Sequence, residues 1–283
     1  MKTIGFIDYY ISEWHANNYP AWIRKAADNL GYEVELKYVW AEEYVSPLDG
    51  KNTDEWCKEF GAERCESIRE LCEKSDYILI LSPSNPEKHL AYASEALKYG
   101  KNTYIDKTFA PDVQTAQKIF DLGNEYHTKF FSSSALRYAT ELDDMAVKPC
   151  AMVTFGNGSK VEEYIIHQIE MAVKVMQEEP VRVRVEKQAR QYVCAVDFEN
   201  EKRATMVFSP SLPFMVIASP AEGKHIFRKI ESEYFLLLIE DILRFFENGV
   251  PSFPAEETLR VMKIREAVIK GCKNDGEWIQ IEA

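Results

Sequence analysis

Three things are scarce in this sequence, and each scarcity removes a class of function. Positive charge is in deficit: Lys plus Arg number 34 against 46 Asp plus Glu, a formal net charge of −12. A general nucleic-acid binder neutralises phosphates with a basic surface, so that class is excluded. A local basic pocket for a small anion is not. Long apolar runs are also missing. No stretch approaches the ~18–20 apolar residues of a membrane span. The short run in Met1–Asp8 ends in a charge, unlike a signal peptide. A soluble, cytoplasmic protein is expected. The third scarcity is of close cysteine pairs. Cys57, Cys65, Cys72, Cys150, Cys194 and Cys272 are scattered with no C-x-x-C. Reduced thiols packed as small hydrophobes are expected, not zinc ligands.

What is present suffices for a substantial core. Hydrophobic residues make up 46% and aromatics 12% of 283 residues, which excludes disorder as the main theme. The length suggests two domains.

The first half alternates strand and helix patterns. Strands are predicted at 3–8, 33–40, 77–82, 103–106 and 129–133. Helices are predicted at 20–30, 54–74 (mixed), 89–99 and 111–126. Pro20 suits a first helical turn, with Asn17 or Asn18 as caps, and Gly31 is a natural stop. Short apolar strands alternating with helices imply a parallel sheet covered on both faces. From about Ala151 the strands follow one another: 151–155, 181–186, 192–198, 204–209, 214–218 and 226–230. Short turns between them suggest an antiparallel sheet. A helix at 162–177 interrupts this series, and helices at 233–248 and 255–272 close the chain. The expected fold class is α/β. A Rossmann-like doubly wound parallel sheet over 1–125 precedes an α+β domain with a mainly antiparallel sheet over 126–283.

Several motifs in order carry a family resemblance. Ser82-Pro83-Ser84-Asn85 is followed by His89, by Ala96-Leu97-Lys98-Tyr99-Gly100-Lys101, and by Tyr104-Ile105-Asp106-Lys107-Thr108. Further on stand Tyr164-Ile165-Ile166-His167-Gln168-Ile169-Glu170-Met171 and the closing helices with Glu240, Asp241, Gly249 and Pro251. Together these resemble the Gfo/Idh/MocA oxidoreductases, the family of glucose–fructose oxidoreductase and inositol dehydrogenase, and the sequence reads as a short, divergent member. The resemblance implies a domain that binds NAD or NADP and a second one forming the substrate wall and an oligomer interface. It matches Lys107 to the family lysine between cofactor and substrate, His167 to its histidine, and Glu163 to the acidic residue four positions earlier. An i, i+4 pair on one helix shares a face. A lysine ammonium polarises a carbonyl oxygen, and a histidine transfers a proton. The expected cofactor-side residues are Asp8, Tyr9, Tyr10, Ser82, Pro83, Asn85, His89, Asp106 and Lys107. Arg137 and His167 are expected on the substrate side.

Blander roles stand beside these: Lys107 as a solvated strand-end lysine, Glu163 as a helix-start carboxylate favoured by the dipole, His89 as structural, Arg137 in a salt bridge. A Cys150–His167 hydrolase and a metal site of His15, Glu163 and His167 have little behind them, and no metal is expected.

The sequence departs from the family at the first βα turn. A Rossmann domain carries G-x-G-x-x-G there, so that the backbone can approach a pyrophosphate. Aligned on Gly5 and His15, those glycine positions hold Asp8, Tyr10 and Glu13. A carboxylate ~4 Å from a phosphate charge costs roughly 4 kcal/mol at an effective dielectric of 20. The leading expectation is an NAD(P)-dependent oxidoreductase of a sugar, polyol or related hydroxy compound. NAD is preferred because no basic cluster follows the second strand; Glu42 or Glu43 is the ribose candidate there. The alternative is a cofactor-free family member acting as a binding or scaffold protein. A small-molecule substrate and a homodimer or homotetramer are the expected partners, with neither nucleic acid nor membrane.

Overall fold

The structure is a computed structural model and describes residues 1–145 and 149–282. The chain divides into two compact units, one of Met1–Ser133 with Phe235–Pro254, the other of Ser134–Tyr234 with Ala255–Ala283.

Unit 1 contains, in chain order, β1 (Lys2–Tyr10), α1 (Trp14–Leu30), β2 (Val34–Glu43), α2 (Thr53–Phe60), β3 (Glu63–Arg64), α3 (Ile68–Lys74), β4 (Tyr77–Ile80), α4 (His89–Ala96), β5 (Thr103–Ile105), α5 (Val113–Glu125) and β6 (Phe130–Phe131). The strands form one sheet in the order β3-β2-β1-β4-β5-β6, with every pair parallel. The chain winds outward one way from β1 and then restarts at β4 on the other side. That reversal is the topological switch point, and ligands of such sheets bind at the carboxyl ends of the strands beside it. β1 and β4 are fully apolar at their centres because helices cover both faces.

Helix α1 starts earlier than its sequence suggests. Pro20, expected in the first turn, lies inside it. The cap is neither Asn17 nor Asn18 but Glu13, whose carboxylate accepts from His15 N and Ala16 N. Asn17 instead accepts from the Trp56 indole at 2.7 Å, and Asn18 donates back to Trp14 O at 2.7 Å. The expected mixed helix over 54–74 is two helices with β3 between them. Gly61 ends α2 at φ 72°, a left-handed conformation that glycine adopts without steric cost. The Ser67 hydroxyl then caps α3 through Glu70 N at 3.1 Å.

The first unit, expected to end at 125, runs to Ser133 and is completed by a helix from much later in the chain. Numbered in chain order, unit 2 contributes β7 (Ala151–Gly156), α6 (Val161–Tyr164), α7 (Ile166–Met176), β8 (Pro180–Gln188), β9 (Gln191–Phe198), β10 (Arg203–Phe208), β11 (Met215–Ser219) and β12 (Ile226–Lys229). Next comes α8 (Tyr234–Asn248), all but Tyr234 of it in unit 1, and then α9 (Ala255–Gly271) and β13 (Trp278–Gln280) in unit 2. Phe246 of α8 stacks on Tyr77 at 4.7 Å, Phe245 meets Phe131 edge-on at 5.0 Å, and Asn102 donates to Phe246 O at 2.9 Å.

Unit 2 is built on a seven-stranded sheet in the order β12-β11-β7-β10-β9-β8-β13. Only β7 and β10 pair in parallel; every other neighbour is antiparallel, as the turn-linked strands led us to expect. Strand β13 has no counterpart among the strands expected from sequence. Alternate residues of β7, β9, β10 and β11 are buried with α7 and α9, among them Met152, Cys194, Met206 and Val216 with Ile169, Val173, Ile264 and Val268. Each such side chain stabilises by roughly 1.5–3 kcal/mol when fully buried. The helix expected at 162–177 is broken into α6 and α7 at Ile165. All six cysteines are free thiols; Cys150 is exposed and Cys272 half-buried, so only four pack as expected.

Among the described residues no helix is long and apolar enough to cross a membrane. Among those residues, no three His, Cys, Asp or Glu side chains are grouped so as to hold a metal ion.

Candidate functional site

In unit 1 the carboxyl ends of β1, β4 and β5 bring together most of the expected cofactor-side residues. Asp8, Glu13, His15, Ser82, His89, Asp106 and Lys107 are all buried. Asp8 Oδ1 accepts from Tyr9 N at 2.7 Å and from Ser82 N at 3.0 Å, bridging β1 to the turn after β4 across the switch point. Its other oxygen, Oδ2, is buried with no hydrogen-bond partner. Burial, with the charge of Glu13 second, pushes the Asp8 carboxyl well above the usual range.

Glu13 sits 6% exposed at the start of α1, where its carboxylate holds His15 N (2.8 Å) and Ala16 N. Burial raises its pKa, against the opposing pull of His15 and of the two backbone donors. His15 Nδ1 pairs with the Asp106 carboxylate, and its ring stacks on Tyr19 at 5.1 Å. Burial works to raise the Asp106 pKa, but His15, followed by Lys107, holds it below the usual range. Lys107 N donates to Asp106 Oδ1 at 2.8 Å, and Lys107 Nζ donates to Pro83 O at 3.2 Å. The Lys107 ammonium is therefore anchored beside the turn after β4, and at 6% exposure it is not a solvated strand-end lysine.

The other expected residues hold loops together. The His89 ring is fully buried, with Nε2 at 2.5 Å from Leu81 O and Nδ1 at 3.0 Å from Phe109 O. Burial lowers its pKa despite those two carbonyls. The Asn85 amide donates to Glu87 at 3.0 Å. Tyr9 and Tyr10 are half-buried neighbours with ring centroids 5.5 Å apart, and Lys88 Nζ lies 4.3 Å from the Tyr9 ring centre. Glu42, the ribose candidate, accepts from Lys88 and from the Tyr92 hydroxyl, both at 2.6 Å. Lys88 chiefly holds its pKa below the usual range. The loop after β2 also folds onto the β1–α1 turn: Ser12 donates to Asp49 at 2.7 Å, and Ser46 donates to Ser12 O at 2.8 Å.

Unit 2 positions the expected substrate-side residues around the N-terminus of α7. His167 is half-buried, and its Nδ1 lies 2.6 Å from Ser134 Oγ. Ser134 N donates to Glu170 Oε1 at 3.1 Å, and Arg137 Nη1 donates to Glu170 Oε2 at 3.0 Å. Arg137 Nη2 pairs with Glu257. The Arg137 guanidinium is thus engaged by two carboxylates of the chain, both inside unit 2. Burial raises the Glu170 pKa, with Arg137 opposing. Gly156 is required here: a Cβ would come 2.8 Å from the Gln168 amide, which accepts from Thr154 at 2.8 Å. Glu163 lies in α6 and His167 in α7, on either side of Ile165, which keeps helical dihedrals (φ −61°, ψ −22°) and donates to Val161 O at 2.9 Å.

Sequence reasoning passed over His15 as the partner of Asp106, and over Ser134, Glu170 and Glu257. Glu170 carried a readable signal: a carboxylate between Ile169 and Met171, in the apolar stretch of its helix, calls for a buried partner.

A doubly wound parallel sheet with a buried polar cluster at its switch point, followed in the chain by a mixed sheet backed by helices, defines a two-unit protein of the α/β class. Residues 45–134 match the Gfo/Idh/MocA profile, described as an oxidoreductase family with an NAD-binding Rossmann fold, so the resemblance read from the motifs is borne out. The matched span includes Ser82 to Thr108. No curated protein matches the sequence. Among solved structures, a probable dehydrogenase from Thermotoga maritima is 13% identical with a TM-score of 0.82, over 99% of this chain and 98% of that one. Scyllo-inositol dehydrogenase from Lactobacillus casei, solved with NAD(H) and scyllo-inositol, is 16% identical with a TM-score of 0.74, over 100% and 99%. UDP-N-acetylglucosamine 3-dehydrogenase from Acidithiobacillus ferrooxidans is 15% identical with a TM-score of 0.77, over 95% and 97%. At these identities the likeness is one of fold.

A dinucleotide of the kind that this fold carries rests its pyrophosphate on the N-terminal N–H groups of the helix after β1. Here those groups already bind Glu13, Asp8 stands buried beside them, and no glycine opens the turn. As they stand, the residues of this turn do not fit a pyrophosphate.

Proposed function

We propose that this protein is an oxidoreductase of the Gfo/Idh/MocA type acting on a sugar, polyol or related hydroxy compound. The observation that carries the proposal is Lys107: a buried ammonium at the carboxyl end of β5, anchored to Pro83 O, within the span that matches the family. An ammonium so held stabilises negative charge developing on a substrate oxygen. The resemblance gives His167, whose Nδ1 meets Ser134 within unit 2, the proton-transfer role. Glu163 orients the substrate or His167. Arg137 contributes by holding Glu170, and through it Ser134. The substrate class is supported by the inositol and nucleotide-sugar names of the structural neighbours. NAD is favoured over NADP because β2 ends in Glu42 and Glu43 with no basic cluster behind them. Self-association of unit 2 through its open sheet face is part of the same reading.

The test is turnover of a polyol and sugar panel by the wild type and Lys107→Ala. Loss of at least a hundredfold in kcat is expected, of the size that a general acid–base or oxyanion group contributes. Unchanged turnover refutes the assignment.

A second reading, a cofactor-free binding or scaffold protein, is favoured by one observation: the carboxylate of Glu13 on the N-terminus of α1.

A further inference from the structure

The disagreement between fold and turn is specific enough to assign a role to Glu13. Its carboxylate is not merely near the place where a dinucleotide would rest its pyrophosphate. It occupies the donors themselves, His15 N and Ala16 N, and supplies the negative charge that a helix N-terminus attracts. Helix α1 is 17 residues long, so those donors carry a full helix dipole. The turn is also held down from outside by Ser46 and Asp49, which bind Ser12. Asp8, 1% exposed near the end of β1, has Oδ2 with no hydrogen-bond partner and feels the charge of Glu13.

The local charge opposes an anion that enters while Glu13 is in place. Three buried carboxylates, Asp8, Glu13 and Asp106, share this end of the sheet with His15 and Lys107. Asp106 is matched by His15. Burial acts on the other two, joined on Asp8 by the charge of Glu13 and on Glu13 by that of Asp106, so a diphosphate added with Glu13 still in place enters a site already crowded with carboxylates. With Glu13 swung out toward solvent, the same donors become available, and one carboxylate is removed from the crevice.

We propose that Glu13 is a built-in competitor for the diphosphate of a dinucleotide: its carboxylate holds the N-terminus of α1 and must leave before a dinucleotide can enter. The proposal rests on the oxidoreductase reading above, and it makes dinucleotide affinity a property set by one side chain of the apoprotein.

The experiment is a fluorescence titration of the full chain with NADH and, separately, with NADPH. It uses the wild type, Glu13→Gln and Glu13→Ala, with thermal melting to establish that each is folded. Glutamine keeps a neutral oxygen for the helix cap, so it protects the test if alanine unfolds the helix start. At least tenfold tighter NADH binding by Glu13→Gln than by wild type at pH 8 is expected. The gap should narrow toward pH 5, as Glu13 takes up a proton in the wild type. Wild type binding NADH as tightly as Glu13→Gln overturns the competitor role and leaves the oxidoreductase reading standing. Absence of binding by all three proteins at millimolar NADH and NADPH overturns both and leaves the cofactor-free reading.

Discussion

Arg137→Met removes the cation that two carboxylates share in a buried cluster of unit 2, and its cost follows from the geometry. The Arg137 and Glu170 side chains are only 6% and 5% exposed and meet at 3.0 Å; Glu257, at 16%, completes the cluster. Methionine fills much of the arginine stem volume, so the loss is electrostatic and not a cavity. Two carboxylates then remain together, one of them almost fully desolvated. Breaking a buried pair from one side costs about 3–5 kcal/mol. For a chain of this size that lowers Tm by roughly 6–20 °C, at about 2–4 °C per kcal/mol. The sign with pH is fixed. Glu170 already has its pKa raised by burial, and without Arg137 it rises further. The variant's deficit is therefore largest at pH 8 and shrinks as the pH falls and Glu170 takes a proton. Urea unfolding at pH 5 and pH 8 measures both effects. A deficit below about 1 kcal/mol, the range of an exposed pair, or one that grows toward pH 5, refutes the argument.

Two other predictions concern stability and assembly. The Asp8 pKa is raised in the folded state, so the native chain binds more protons than the unfolded one, and this residue's contribution is lost as pH rises through the folded value. Asp8→Asn, which does not titrate, should gain on the wild type as the pH rises from 4 to 8, by up to about 1.4 kcal/mol for each pH step of one. Parallel melting curves across that range would contradict it. The solvent-side face of the unit 2 sheet carries Val153, Phe155, Val207 and Ile217, all half-buried within the single chain. On the proposed self-association, Ile217→Arg should be monomeric by light scattering where the wild type is larger, and a wild type that is already monomeric would dismiss the interface.

The order of elements was legible because strand and helix patterns depend on neighbours two to four residues away. The parallel and antiparallel sheets followed from the connection lengths. Pro20 misled because its usual first-turn position outweighed a cap seven residues earlier that needed Glu13 to turn back onto its own helix. The break at Ile165 is invisible in the apolar periodicity, which runs on through it. Lys107 was found by its motif, but its burial was not. Arg137 illustrates the limit most plainly: its partners lie 33 and 120 positions away, and no local pattern pairs them. The switch point brings Asp8 to Ser82 over 74 positions in the same way.

The return of α8 to the first unit bears on how the chain is made. The covalent path passes from one unit to the other after Ser133, after Tyr234 and after Pro254. A ribosome therefore releases all six strands of the parallel sheet long before the segment that covers Tyr77 and Phe131. Domains emerging from synthesis generally fold in order, N-terminal first, but this one must wait for residue 254 of 283. The nascent first unit keeps an apolar flank uncovered through most of translation. No single cut separates two complete halves, so exchanging the N-terminal 133 residues for those of another protein would leave α8 facing a sheet it did not evolve to cover.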